Sequence, residues 1–236
     1  MKNILVPTDF SENCNKAADL AIEMAKLYNA EIHFFHLIKT PVDWVKLDVL
    51  QEKKYPATVR KIGIARAKLR ELERKAEREA LECRFFLEFD GGLANILKHS
   101  DHFHHDFIVT GSSGTRGIVR ELLGSNAEEI VRKADVPVIV VKDQVVSFPF
   151  KEIVFVSDFL QDVSEAFKHV ISIAEKCRAH IHLLRINTET DFNSIEQGLD
   201  PIKEFLKKFP DLDNFSMNVY NEPDVETGIN NFLRYK

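Results

Sequence analysis

Short apolar runs alternate along this chain with longer segments whose apolar residues recur at helical spacing. Residues 3–8, 32–37, 84–89, 107–110 and 136–141 have the length and β-branched or aromatic content of buried strands. Between them, helical periodicity predicts helices over Ser11–Tyr28, Ile62–Leu81, Leu93–His99 and from Ser125 to about Ala134. Ala17, Ala18, Ala21, Met24 and Ala25 give the first helix a small-residue face that can lie close to a sheet. Leu69, Leu72, Ala76 and Ala80 form the inner face of the second, whose outer face carries charge, with Glu71 and Lys75 in the favourable i,i+4 order. Residues 40–58 contain Pro41, Trp44 and Pro56 and read as a connection with one short helix. Five strands alternating with helices predict an α/β fold: an open, mainly parallel five-stranded sheet with helices on both faces.

The opening then returns. Lys2-Asn-Ile-Leu-Val-Pro-Thr-Asp9-Phe10 is matched by Lys151-Glu-Ile-Val-Phe-Val-Ser-Asp158-Phe159, and Ala25–His33 by Ala174–His182, in one register without a gap. Repetition on this scale predicts two related folding units: a domain over 1–142, a linker over 143–150 and a partial second domain over 151–236. The second should hold strands at 153–157, 181–186 and 215–220, helices at about 161–177 and 192–208, and a third helix from near Pro223. Its sheet would be incomplete as written, so the expectation is a truncated chain or a degenerate unit.

Composition narrows the class only a little. Hydrophobic residues make up 44% and charged residues 29%, enough for a packed core. A formal charge of −5 provides no general attraction to nucleic acid or anionic lipid, and no apolar stretch is long enough to span a membrane. Cys14, Cys83 and Cys177 are widely spaced and form no metal or redox motif, which suits a reducing, cytoplasmic setting.

Candidate chemistry concentrates after the fourth predicted strand. Gly111-Ser-Ser-Gly114 is followed by Gly124-Ser125 at the start of a helix. Glycines let backbone N–H groups approach an anion, and a helix N-terminus adds unpaired donors and a favourable dipole. Ser125 with Glu128 also fits a capping box. The plainer alternative is that both glycines only permit turns. In open α/β sheets ligands lie beyond the carboxyl ends of strands, where strand order reverses; that rule draws the Pro7-Thr8-Asp9 turn, Leu37 and the Gly111 loop toward one crevice.

These features together resemble the universal stress protein family in its tandem form. Ile4-Leu-Val-Pro-Thr-Asp9-Phe-Ser11 is similar to the family's first strand and turn. Gly111-x2-Gly114-x9-Gly124-Ser125 matches its nucleotide pattern, and Val136-Pro-Val-Ile-Val-Val141 its last strand. The resemblance implies an adenine nucleotide alpha hydrolase-like arrangement, repeated in part, that binds ATP, with Mg²⁺ as a companion ion. It implies Pro7, Thr8, Asp9 and Leu37 beside base and sugar, and Gly111, Ser113, Gly114, Gly124, Ser125 and Asn126 around ribose and phosphates. Ala127 departs from the hydroxyl residue common at that position. The implied role is a nucleotide-responsive regulator in stress adaptation; the alternatives are a non-binding interaction module or a slow ATP hydrolase. The family's last strands commonly meet across a dimer, which implies a homodimer through residues 136–142.

Other residues have weaker claims. Asp9 followed by Glu12 also suits a helix cap, and Asp158 suits a cap for the helix after it. His99, His102, His104 and His105 with Asp101 and Asp106 form a metal-like cluster, for which solvated loop histidines and a helix cap at His99 are the ordinary explanation. The expectation is no metal there and no nucleotide in the second unit. His33 and His36 have opposite strand parity and should face opposite sides.

Overall fold

A computed structural model describes residues 2–112, 125–142, 147–188 and 194–234, with the backbone alone at Ser125. The chain divides into two compact units, Met1–Phe148 and Pro149–Lys236.

In the first unit the strands are β1 (Asn3–Pro7), β2 (Glu31–Ile38), β3 (Cys83–Phe89), β4 (Phe107–Gly111) and β5 (Val138–Val141). They form one parallel sheet in the order β3-β2-β1-β4-β5. The chain winds outward from β1 through β2 to β3, then returns to the other side of β1 for β4 and β5. Strand order therefore reverses between β1 and β4.

The helices are α1 (Glu12–Tyr28), α2 (Val49–Glu52), α3 (Pro56–Arg78), α4 (Gly92–His102) and α5 (Ser125–Lys133), with a 3-10 turn at Trp44–Lys46. Alternating strand residues serve the two sheet faces. Leu5, Phe35 and Ile108 pack with Ile96 of α4 and Ile130 of α5, while Ile38 packs with Ile62 and Ala65 of α3 beside Trp44. The alanine face of α1 is fully buried, and Ala17, Ala18, Ala21 and Ala25 let the helix lie against the sheet.

Three local expectations are revised. Helix α3 starts at Pro56, six residues before the expected Ile62, because proline at the first helical position has a suitable φ and lacks only an N–H that would be unpaired there. At its other end Ala80 lies outside the helix, exposed, at φ 57°, where Leu81 N–H donates to Ala76 O (3.2 Å). Lys75 pairs with Asp19 of α1 instead of Glu71, so its contact joins two helices.

The second unit has β6 (Glu152–Val156), α6 (Ser164–Cys177), β7 (His180–Asn187), α7 (Ile195–Leu206), β8 (Phe215–Asn221) and α8 (Val225–Arg234). Its parallel sheet runs β6-β7-β8, around a core containing Phe167, Ile181, Leu183, Ile202 and Phe205. The repeat extends to hydrogen bonds. Thr8 Oγ1 accepts from Phe10 N–H and Asp9 Oδ1 from Ser11 N–H; Ser157 Oγ accepts from Phe159 N–H and Asp158 Oδ1 from Leu160 N–H. Phe10 and Phe159 both turn with positive φ, as do Asn29 and Arg178 at the ends of α1 and α6. Asp158 consequently serves the turn after β6 and does not cap α6, which begins six residues later.

Candidate functional site: a cleft at the reversal of strand order

Beyond the carboxyl ends of β1, β2 and β4 lies a cleft of about 600 Å³, within the size range of small-molecule sites. Each segment reaches it for a topological reason. Pro7, Thr8 and Asp9 arrive because β1 ends there, Leu37 because β2 runs parallel beside it, and Gly111 from the end of β4. Asn126 and the buried Ala127 enter from the first turn of α5. Ser113, Gly114 and Gly124 lie outside the described residues, and Ser125 is the first residue of α5.

The β1 corner is held by its own hydrogen bonds. Thr8 is buried, and its N–H donates to Phe35 O (2.9 Å). Asp9 does not cap α1. Its Oδ1 accepts from Ser11 N–H (2.9 Å), and Ser11 is the cap, accepting from Cys14 N–H (3.3 Å). The Asp9 side chain thus stands at the cleft instead of over the helix end. Similarly, the Glu128 half of the expected capping box is engaged elsewhere, in an ion pair with Arg132 (2.6 Å).

Several cleft residues escaped the sequence reading. His36 packs against Phe10 and holds Thr8 O through Nδ1 (2.6 Å). Burial lowers its pKa, outweighing the favourable Thr8 contact; the neutral ring donates Nδ1–H to the carbonyl. Asp90 accepts from both the hydroxyl and the N–H of Thr40, which lowers its pKa and ties the ends of β2 and β3 together. Its position just after a strand was the available signal. Asn13, which is not itself a lining residue, had none: from the first turn of α1, its Nδ2 donates to Ser112 O (2.9 Å) just after β4.

Among the described lining residues the cleft pairs an apolar wall, including Phe35, Leu37, Leu93 and Ile130, with the carboxylates Asp9, Asp90 and Glu129 and the single cation Lys39. It can accept a flat, partly apolar group whose polar edge carries hydroxyls. A highly charged anion there needs the backbone donors of the α5 end or an accompanying cation.

The histidine cluster departs from expectation. His102 and His104 are exposed, but His99 and His105 are buried and meet His33 of β2. Burial is the main cause that pushes both His99 and His105 down to about 4. This group stands near the amino-terminal end of the sheet, away from the cleft.

An open parallel sheet with helices on both faces and a cleft at the reversal of strand order defines a doubly wound α/β architecture. The sequence profile of the Universal stress protein family matches residues 1–142, and the chain belongs to that family. A universal stress protein of Methanocaldococcus jannaschii is 31% identical over 150 residues, covering 60% of this chain and 82% of the relative. The stress response protein NhaX of Bacillus subtilis is 27% identical over 160 residues, covering 59% of this chain and 96% of its own length. The crystal structure of a universal stress protein from Archaeoglobus fulgidus shares the fold, with a TM-score of 0.67 at 21% identity over 93% of this chain and 78% of that one. Among the described residues, no helix is long and apolar enough to cross a membrane.

Proposed function

We propose that the first unit binds an adenine nucleotide, ATP with Mg²⁺, and acts as a nucleotide-responsive regulator in stress adaptation. The observation that carries this reading is the cleft itself, where Pro7, Thr8, Asp9, Leu37 and Asn126 come together from three distant stretches of sequence. In this reading Pro7 and Leu37 pack beside the base, and Thr8 and Asp9 bind toward the sugar. Gly111, Ser113, Gly114, Gly124, Ser125 and Asn126 surround ribose and phosphates. Carboxylates outnumber cations among the described lining residues, so Mg²⁺ and backbone N–H groups carry the phosphate charge. The stress-related names of the M. jannaschii and B. subtilis relatives support the regulatory part.

Occupancy, not turnover, is the signal. The sequence has no Gly-x4-Gly-Lys-Ser/Thr loop, and rapid phosphoryl transfer needs organised cationic stabilisation. Calorimetry with Mg²⁺-ATP, run beside a phosphate-release assay, tests both halves. Stoichiometric binding with negligible release is expected. Absence of heat and thermal shift at millimolar ATP sinks the binding reading, and sustained turnover sinks the regulatory one.

A further inference from the structure

The rings of His33, His99 and His105 converge in a buried aromatic chamber at the end of the sheet opposite the cleft. Each offers one nitrogen, and the three nitrogens lie within 4.8 Å of one another. Phe86 and Phe103 pack against both His33 and His99, and Phe35 packs against His99. Among the described residues, His99 Nε2 is buried without a hydrogen-bond partner. A buried polar atom left unmatched is destabilising, so its setting calls for a ligand.

The outer contacts of the other two rings set their tautomers. His105 Nδ1 faces Ser100 O at 3.2 Å, and a carbonyl can only accept. His33 Nε2 faces the Glu31 carboxylate at 3.1 Å, and Glu31 is also paired with Arg84 (2.7 Å). Both outer nitrogens therefore carry hydrogen. In neutral rings this leaves His33 Nδ1 and His105 Nε2 as two lone pairs facing each other at 3.0 Å. A cation between them matches both lone pairs. A shared proton would join these two rings but leave His99 unmatched; a metal ion satisfies all three.

We propose that His33 Nδ1, His105 Nε2 and His99 Nε2 form a zinc site, with a small oxygen ligand in the fourth position. Its surroundings suit such a centre: Glu31 and Ser100 O accept the outer N–H groups, as outer partners of zinc-bound histidines do. Imidazole donors favour Zn²⁺ over the oxygen-seeking Mg²⁺ and Ca²⁺. Zn–N bonds of about 2.05 Å at tetrahedral angles put nitrogens roughly 3.3 Å apart. The 3.0 Å pair opens slightly and His99 moves inward. No thiol is needed: burial pushes Cys83 on the neighbouring strand up to about 11, so it stays protonated.

Tag-free full-length protein, stripped with a chelator, is dialysed against Zn²⁺ and its metal content and thermal midpoint measured. One equivalent per chain and a raised Tm are expected. His99→Phe, matched to its aromatic surroundings, should fold and lose at least tenfold in Zn²⁺ affinity, and Glu31→Gln should lose about tenfold. The double variant His102→Ala/His104→Ala, altering exposed rings only, should bind as wild type. Co²⁺-loaded wild-type protein should show the strong visible bands of a four-coordinate site, a readout independent of how any variant folds. Failure of wild-type protein to take up Zn²⁺, loss of uptake in the His102/His104 variant, unchanged affinity in His99→Phe, or a pale six-coordinate Co²⁺ spectrum overturns the site. Uptake of Cu⁺ to the exclusion of Zn²⁺ overturns the choice of ion.

Discussion

Gly111 at the end of β4 lies against Asn13 in the first turn of α1 so closely that a Cβ on it would stand 2.4 Å from the Asn13 carbonyl carbon and the Cys14 nitrogen. Its lack of a side chain thus serves the close approach of strand and helix, and its φ is not in the left-handed region. The obstruction is backbone, which cannot rotate away as a side chain can. Gly111→Ala should therefore cost about 1–3 kcal/mol or more, as overpacking does. It should also weaken nucleotide binding by displacing α1 from the cleft corner. Urea denaturation checks the first; unchanged stability would mean that strand and helix separate freely.

Asp9 offers a cleaner test of the cleft. Its carboxylate is exposed and accepts from the local Ser11 N–H, so Asp9→Ala should change stability by about 1 kcal/mol or less. ATP affinity should fall at least tenfold if this carboxylate contacts the ribose or a hydrated Mg²⁺. Calorimetry on wild type and variant decides, and equal affinities would remove Asp9 from the site.

Metal-free protein should lose stability in mild acid. His99 and His105 sit at about 4 in the folded state, against about 6.5 in an unfolded chain. Between those values the unfolded state binds more protons, so stability rises with pH across the window. The contribution is fully present above about 6.5 and is lost as pH falls toward 4, a change on the order of a few kcal/mol for the coupled pair. Denaturation series from pH 7 to 4 in chelator, with His99→Phe as comparison, measure it. The variant should show a shallower slope.

Strand β5 forms an edge of the first sheet, and Val138, Ile139 and Val140 are only half-buried. An apolar edge invites pairing with another chain, and a twofold contact through residues 136–142 would cover it. Wild-type protein should scatter as a dimer of the 27.1 kDa chain, and Val140→Lys should shift it to monomer. A wild-type monomer at all concentrations would rule out this dimer.

The elements of both units were legible because strand and helix periodicity are local. The same holds for the repeated corner: Thr8-Asp9-Phe10 and Ser157-Asp158-Phe159 form the same two side-chain bonds, each spanning two residues. The neighbours in the cleft followed from one general rule, that ligands gather where strand order reverses. Periodicity is silent about what a residue meets across the fold. Lys75 had a suitable partner one turn away in Glu71 yet reaches Asp19 on another helix, because packing α3 beside α1 brings that carboxylate into range. The sequence marks Gly111 as a cleft glycine but not that α1 occupies the space its Cβ would need. From their neighbours in sequence, His99 reads as a helix cap and His105 as a solvated loop residue. Only the crossover through α3, β3 and α4 brings them to His33, some seventy residues earlier in the chain. Local spacing determined which segments are strands and helices; long-range closure decided which polar atoms are buried together.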